Sequence, residues 1–135
     1  MSAHAELAER ARPVLARLAE LYLEPRVLDI ELRASSRLRA SLARAYLVEA
    51  RITVAVALLA SRHLEEVLVH EVAHLVCFWR HGRVRPHGRE WRALMQQAGH
   101  RGRVRLDPLD VRLPPRRRRR RSPRLRVAAF LRGLL

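Results

Sequence analysis

Apolar residues recur at intervals of three and four through residues 3–22, where Leu7, Ala11, Val14, Leu15, Leu18, Leu21 and Tyr22 fall on one stripe. That period marks an amphipathic helix with one buried face. Pro13 lies inside the run and predicts a kink or a second helix start, and Pro25 closes the segment. The period then changes to two. In residues 27–32, Leu28, Ile30 and Leu32 share one side of an extended chain. Residues 37–47 alternate in part, with Arg37, Arg39 and Ser41 between Leu38, Ala40 and Leu42; residues 51–56 alternate again and are β-branched. Three such runs joined by short polar turns predict an antiparallel meander. The middle run is rich in Ala and Arg, so it is also compatible with a helix.

Residues 62–80 return to helical spacing. Leu64, Val67, Leu68, Val72, Leu75, Val76 and Trp79 cover much of the circumference, which predicts a largely buried helix. Ser61 is its expected N-cap, Glu65 and Glu66 fall in its first turn, and Gly82 ends it. After a loop at 81–88, residues 89–98 read as a further helix with Trp91, Leu94, Met95 and Ala98 on one side and Gly99 as its stop. No clear period runs through 104–113.

From Pro114 the composition shifts: residues 116–121 are consecutive arginines, and 125–135 are apolar and basic. Like charges in a block repel, so this stretch is expected to be largely disordered, with a short amphipathic helix at 125–135. The expected fold is therefore α+β. An N-terminal helix, a small three-stranded antiparallel sheet, a buried helix and a closing helix fill one domain at 1–113, and a flexible Arg-rich tail occupies 114–135. A chain of 135 residues fits one such domain.

Charge sharpens the picture of partners. The net charge is +15 and every fixed cation is Arg, with no Lys at all. Phosphate binding alone does not explain the missing Lys, which also binds phosphate, so codon bias accounts for part of the pattern. The net charge still favours polyanions, which makes DNA or RNA the expected partner of the Arg-rich tail. A membrane-surface role for 125–135 is a weaker reading. Cys77 is the single cysteine, which excludes an intramolecular disulfide and a cysteine zinc knuckle and suits a reducing compartment. The N-terminal residues are polar, and no apolar run approaches the roughly 20 residues needed to span a bilayer. A soluble, cytoplasmic monomer with no transmembrane segment is expected.

The chemistry lies in His70-Glu71-Val72-Ala73-His74. Residues four apart share a helix face, so His70 and His74 can present ring nitrogens to one ion, with Glu71 at the border of that face. This is the zincin pattern: two His ligands, and a Glu that takes a proton from water. Zinc is suited to the task because it lowers the pKa of a coordinated water from ~15.7 to about 7. A buried helix carrying these groups without a metal would leave them costly and unpartnered. A catalytic zinc needs a third protein ligand. His81, His87 and Glu90 are the candidates, and a chain reversal between packed helices favours His87, with Trp91 one turn further on and able to pack beneath it. The metzincin spacing would require Gly and His where Cys77 and Arg80 stand, so that class is excluded. His4, His63 and His100 are expected to be ordinary surface histidines.

These residues carry a resemblance. Residues 32–99 resemble the SprT-like metallopeptidase domains, a family that includes the eukaryotic protease Spartan. The match rests on Leu38-Arg39-Ala40-Ser41, Arg44-Ala45, the helix segment from Glu66 to His74, His81-Gly82, and Pro86-His87-Gly88-Arg89-Glu90-Trp91. The resemblance implies one Zn2+ per chain held by His70, His74 and His87, with Glu71 catalytic and a protein or peptide as substrate. It also implies cleavage of DNA-associated or DNA-crosslinked proteins, as eukaryotic relatives perform. The chain departs from the family at Ala43, where Gly is common, at Val54-Ala55-Val56, and in lacking the four-Cys zinc ribbon found in many bacterial members. The competing expectation is a nucleic-acid-binding protein whose zinc site is structural or vestigial.

Overall fold

The computed structural model describes residues 1–104 and 111–115. The arginine run at 116–121, the amphipathic helix expected at 125–135 and most of 104–113 lie outside these residues.

Helix α1 spans Ala3–Leu21 and buries Leu7, Ala11, Leu15, Leu18 and Ala19 along the expected stripe. Ser2 caps it, its Oγ accepting from the Ala5 amide at 3.1 Å. The helix runs through Pro13 without a break. Pro13 and Glu9, whose carbonyl loses its partner there, are both exposed, so water can take the bond.

Three strands follow: β1 (Glu31–Ser35), β2 (Ala43–Tyr46) and β3 (Arg51–Ala55). The first begins later than the alternation at 27–32 predicts. Pro25 starts a 3-10 turn over Pro25–Asp29, which leaves Leu28 exposed and buries Val27 instead. The middle strand is also shorter than the run at 37–47.

The sheet corrects the expected antiparallel meander: it is mixed, in the order β1-β3-β2. β3 lies parallel to β1, pairing Leu32 with Ile52, and antiparallel to β2, pairing Ala45 with Ile52. β3 is the most β-branched run and buries Ile52 and Val54, which fits it for the centre. The short, Arg-bearing β2 is left at an edge.

Helix α2 (Leu64–His81) packs against α1 and β2 and is buried on most sides, with Leu68, Val69, Val72, Ala73, Leu75 and Val76 all at 0% exposure. Each fully covered Leu or Val contributes about 1.5–3 kcal/mol relative to exposure. The N-cap differs from expectation: His63 holds that position, and Ser61 Oγ accepts from the His63 amide at 3.1 Å. Gly82, at φ +73, ends α2.

Helix α3 (Arg89–Gln97) closes the domain and buries Trp91, Leu94 and Met95. The end of α1 ties the helices together. Tyr22 donates its hydroxyl to the Leu94 carbonyl at 2.7 Å, Gln97 donates to the Leu21 carbonyl at 3.1 Å, and Arg80 donates to the Tyr22 carbonyl. None of the described helices is long and apolar enough to cross a membrane.

Candidate metal centre

The fold brings three imidazoles to one point. His70 and His74 stand one turn apart on α2. The loop after α2 returns His87 to them, so that its Nε2 lies 3.0 Å from Nε2 of His74 and 3.0 Å from Nε2 of His70. Among the described residues this is the group of three with ligand atoms close enough to share an ion. His81 sits exposed at the end of α2, outside the cluster. Glu90 is also outside.

The donor set fits a cation. A tetrahedral zinc about 2.0–2.1 Å from each nitrogen separates neighbouring nitrogens by roughly 3.3 Å, close to the spacing seen here. The rings are held in the neutral form that ligation needs. Burial, reinforced by His87, pulls the His70 pKa down to about 4. Burial, with His70 and His87, pulls His74 down to about 3. Burial and then Arg92 lower His87 as well.

Trp91 forms the floor. It is 1% exposed, lies edge-on to His70 and His87, and stacks on His74 at a centroid distance of 5.6 Å. Its indole N–H donates to the His70 carbonyl at 3.1 Å, which ties α3 to the motif helix. His87 takes a left-handed backbone, φ +57, just before α3 starts. Gly88 follows because the turn is tight: its amide donates to the Arg85 carbonyl at 3.1 Å, and a Cβ would meet that oxygen at 3.0 Å.

Glu71 is 9% exposed. Burial raises its pKa to about 7, opposed by the backbone amide of Ala45 on edge strand β2. A cleft of about 140 Å3 opens beside His74 and Trp91, with Leu47, Phe78, Val84 and Pro86 on its walls and Arg83 and Arg85 at its border.

The three histidines named from sequence thus meet at one point, and Glu71 follows His70 on the same helix. Sequence reasoning missed the backbone groups: the His70 carbonyl that accepts from the Trp91 indole at 3.1 Å and the His87 carbonyl that accepts from Arg92 at 3.2 Å. Backbone atoms leave no signature in residue type.

Comparison with known proteins agrees with the geometry. The family model for the SprT-like family matches residues 11–114. Protein SprT of Vibrio parahaemolyticus is 64% identical over 33 residues, which cover 24% of this chain and 20% of that protein. Protein SprT of Pectobacterium atrosepticum is 51% identical over 37 residues, or 27% and 22% of the two chains. Protein SprT of Shewanella oneidensis is 53% identical over 32 residues, or 24% and 20%. The chain thus spans about a fifth of the length of these curated relatives. No solved structure matches it.

Proposed function

The chain belongs to the SprT-like family, and from that premise we propose that it is a zinc-dependent metallopeptidase. The observation that carries the reading is the convergence of the His70, His74 and His87 imidazoles within reach of one ion, with the buried Glu71 next to His70 on the same helix. His70, His74 and His87 would hold the ion. When bound, zinc supplies Lewis acidity toward the substrate carbonyl and an acidified water. Glu71 takes the proton from the attacking water and passes it to the leaving amide nitrogen. Trp91 fixes the ligand rings and closes the floor of the site to water. β2 is an edge strand beside α2, so an extended peptide can add to it within reach of Glu71.

The substrate class we propose is protein associated with or crosslinked to DNA, met by a monomer in the cytoplasm. A net charge of +15 and the arginines at 116–121 support it. The same charge supports a second reading, a nucleic-acid-binding protein with a structural or vestigial zinc.

Metal analysis and peptide cleavage separate the two, using wild type and Glu71→Gln. The peptidase reading expects about one zinc per chain in both proteins and a turnover at least ~100-fold lower in the variant. Equal cleavage by Glu71→Gln would sink the mechanism. Salt-sensitive DNA binding with no proteolysis under any condition would favour the second reading.

A further inference from the structure

The two faces of the sheet are unlike. One carries Ile52 and Val54, both at 0% exposure, with Ala43 and Ala45 beside them, and packs into the core. Side chains alternate along a strand, so the other face carries Glu31 and Arg33 of β1, Arg51 and Thr53 of β3, and Arg44 and Tyr46 of β2. The register sets them in two rows, Arg33–Thr53–Arg44 and Glu31–Arg51–Tyr46. All six are exposed or half-buried. Glu31, the single carboxylate among them, is taken by Arg33, with Oε1 2.7 Å from its guanidinium. Among the described residues Arg44 and Arg51 have no carboxylate partner, and both lie over the Tyr46 ring instead, their Cζ atoms 5.4 Å and 4.3 Å from its centroid. Nε of Arg51 is covered and has no hydrogen-bond acceptor.

We propose that this open face of the sheet binds single-stranded DNA, with Arg44, Tyr46 and Arg51 as its centre. Three guanidinium groups stand there against one carboxylate, which makes the face complementary to a polyanion. A guanidinium held by an aromatic ring, and not by a carboxylate, keeps its outer N–H groups available to a phosphate. The flat groups of the cluster offer planes on which an unpaired base stacks. A duplex turns its base faces inward, so a single strand is the form that uses both features. The arginines at 116–121 can add charge but bring no ring. β2 also links the face to the candidate site, because it is the edge strand beside α2. DNA on the face would hold an attached protein near that edge. This consequence rests on the peptidase reading, whereas the binding does not.

The test uses the full chain and a labelled oligothymidine strand, read by fluorescence anisotropy across a salt series. Tyr46→Ala should bind roughly 5–100-fold more weakly, and Tyr46→Phe within about 2-fold of wild type, since a phenyl ring stacks as well. Arg44→Gln with Arg51→Gln should lower the salt slope by about 1–2. A strand carrying 5-iodouracil should photo-crosslink to Tyr46. Thermal melting checks that each variant is folded, and the Phe and Gln variants decide the matter if Tyr46→Ala is not. Binding by Tyr46→Ala equal to that of wild type, or crosslinks confined to the tail, overturns the proposal. So does a wild type that binds no single strand, or that binds a duplex equally and with the same dependence on Tyr46. Equal capture of a polyglutamate peptide, lost in the same variants, would mean that the face reads charge alone, and would overturn it too. None of these readings needs zinc or cleavage. A chain that binds as expected and cleaves nothing sinks the peptidase reading and leaves the sheet face standing.

Discussion

The two halves of the metal centre are built in different ways. His70 and His74 come from the middle of α2, where ten buried residues hold the helix and the four-residue spacing sets the distance between the rings. His87 comes from a loop. It sits at φ +57, a backbone state that costs an L residue roughly 1–3 kcal/mol and persists only where its surroundings enforce it. Here the enforcement is local: the Gly88 amide on the Arg85 carbonyl, the Arg92 amide on the Gly88 carbonyl at 3.0 Å, and Arg92 Nε on the His87 carbonyl. One half of the site is therefore a by-product of a stable helix. The other half is a strained turn kept for what it presents.

The contrast is sharpest in two ligand variants. His74→Ala and His87→Gly should each weaken zinc binding by on the order of 10²–10³-fold, since four-ligand zinc sites hold their ion by about 10–16 kcal/mol, or roughly 3–4 kcal/mol per ligand. Their metal-free proteins should differ. Glycine accepts φ +57 freely, so His87→Gly should leave thermal stability unchanged or raise it by about 1 kcal/mol, as calorimetry would report. A clear loss of metal-free stability in His87→Gly would mean that the turn is not strained in the way described.

Gly88→Ala comes next in size. The Cβ would meet a backbone oxygen, which cannot swing aside as a side chain can. We expect a loss of about 1–3 kcal/mol with weakened zinc affinity, read by melting and chelator competition. A variant as stable and as tight as wild type would show that the loop has slack. The smallest effect should come from Tyr22→Phe, which removes the buried bond to the Leu94 carbonyl. A loss of about 1 kcal/mol is expected, with zinc affinity intact, because Tyr22 joins α1 to α3 away from the ligand atoms. Equal losses in zinc affinity for Tyr22→Phe and Gly88→Ala would erase the distinction between scaffold and turn.

Local repetition made much of this protein legible from its residues alone. The stripe of α1, the buried circumference of α2, and the pairing of His70 with His74 beside Glu71 all follow from a helical period of 3.6. His87 is readable because its loop is short and flanked by two recognisable helices, although Glu90 and His81 fit the same bare spacing. Strand order was not readable. Residues 27–56 show alternation but not which strand lies in the middle, and β3 returns between β1 and β2 because the most β-branched strand takes the most covered place. The start of β1 departs from the alternation because Pro25 converts 25–29 to a 3-10 turn. Tertiary structure alone decided the parts of the site made by main-chain atoms: the His70 carbonyl on the Trp91 indole and the His87 carbonyl on Arg92. Residue type determines which side chains can ligate or carry a proton. Every residue bears nearly the same amide and carbonyl, so only the path of the chain through space selects which of them meet those side chains.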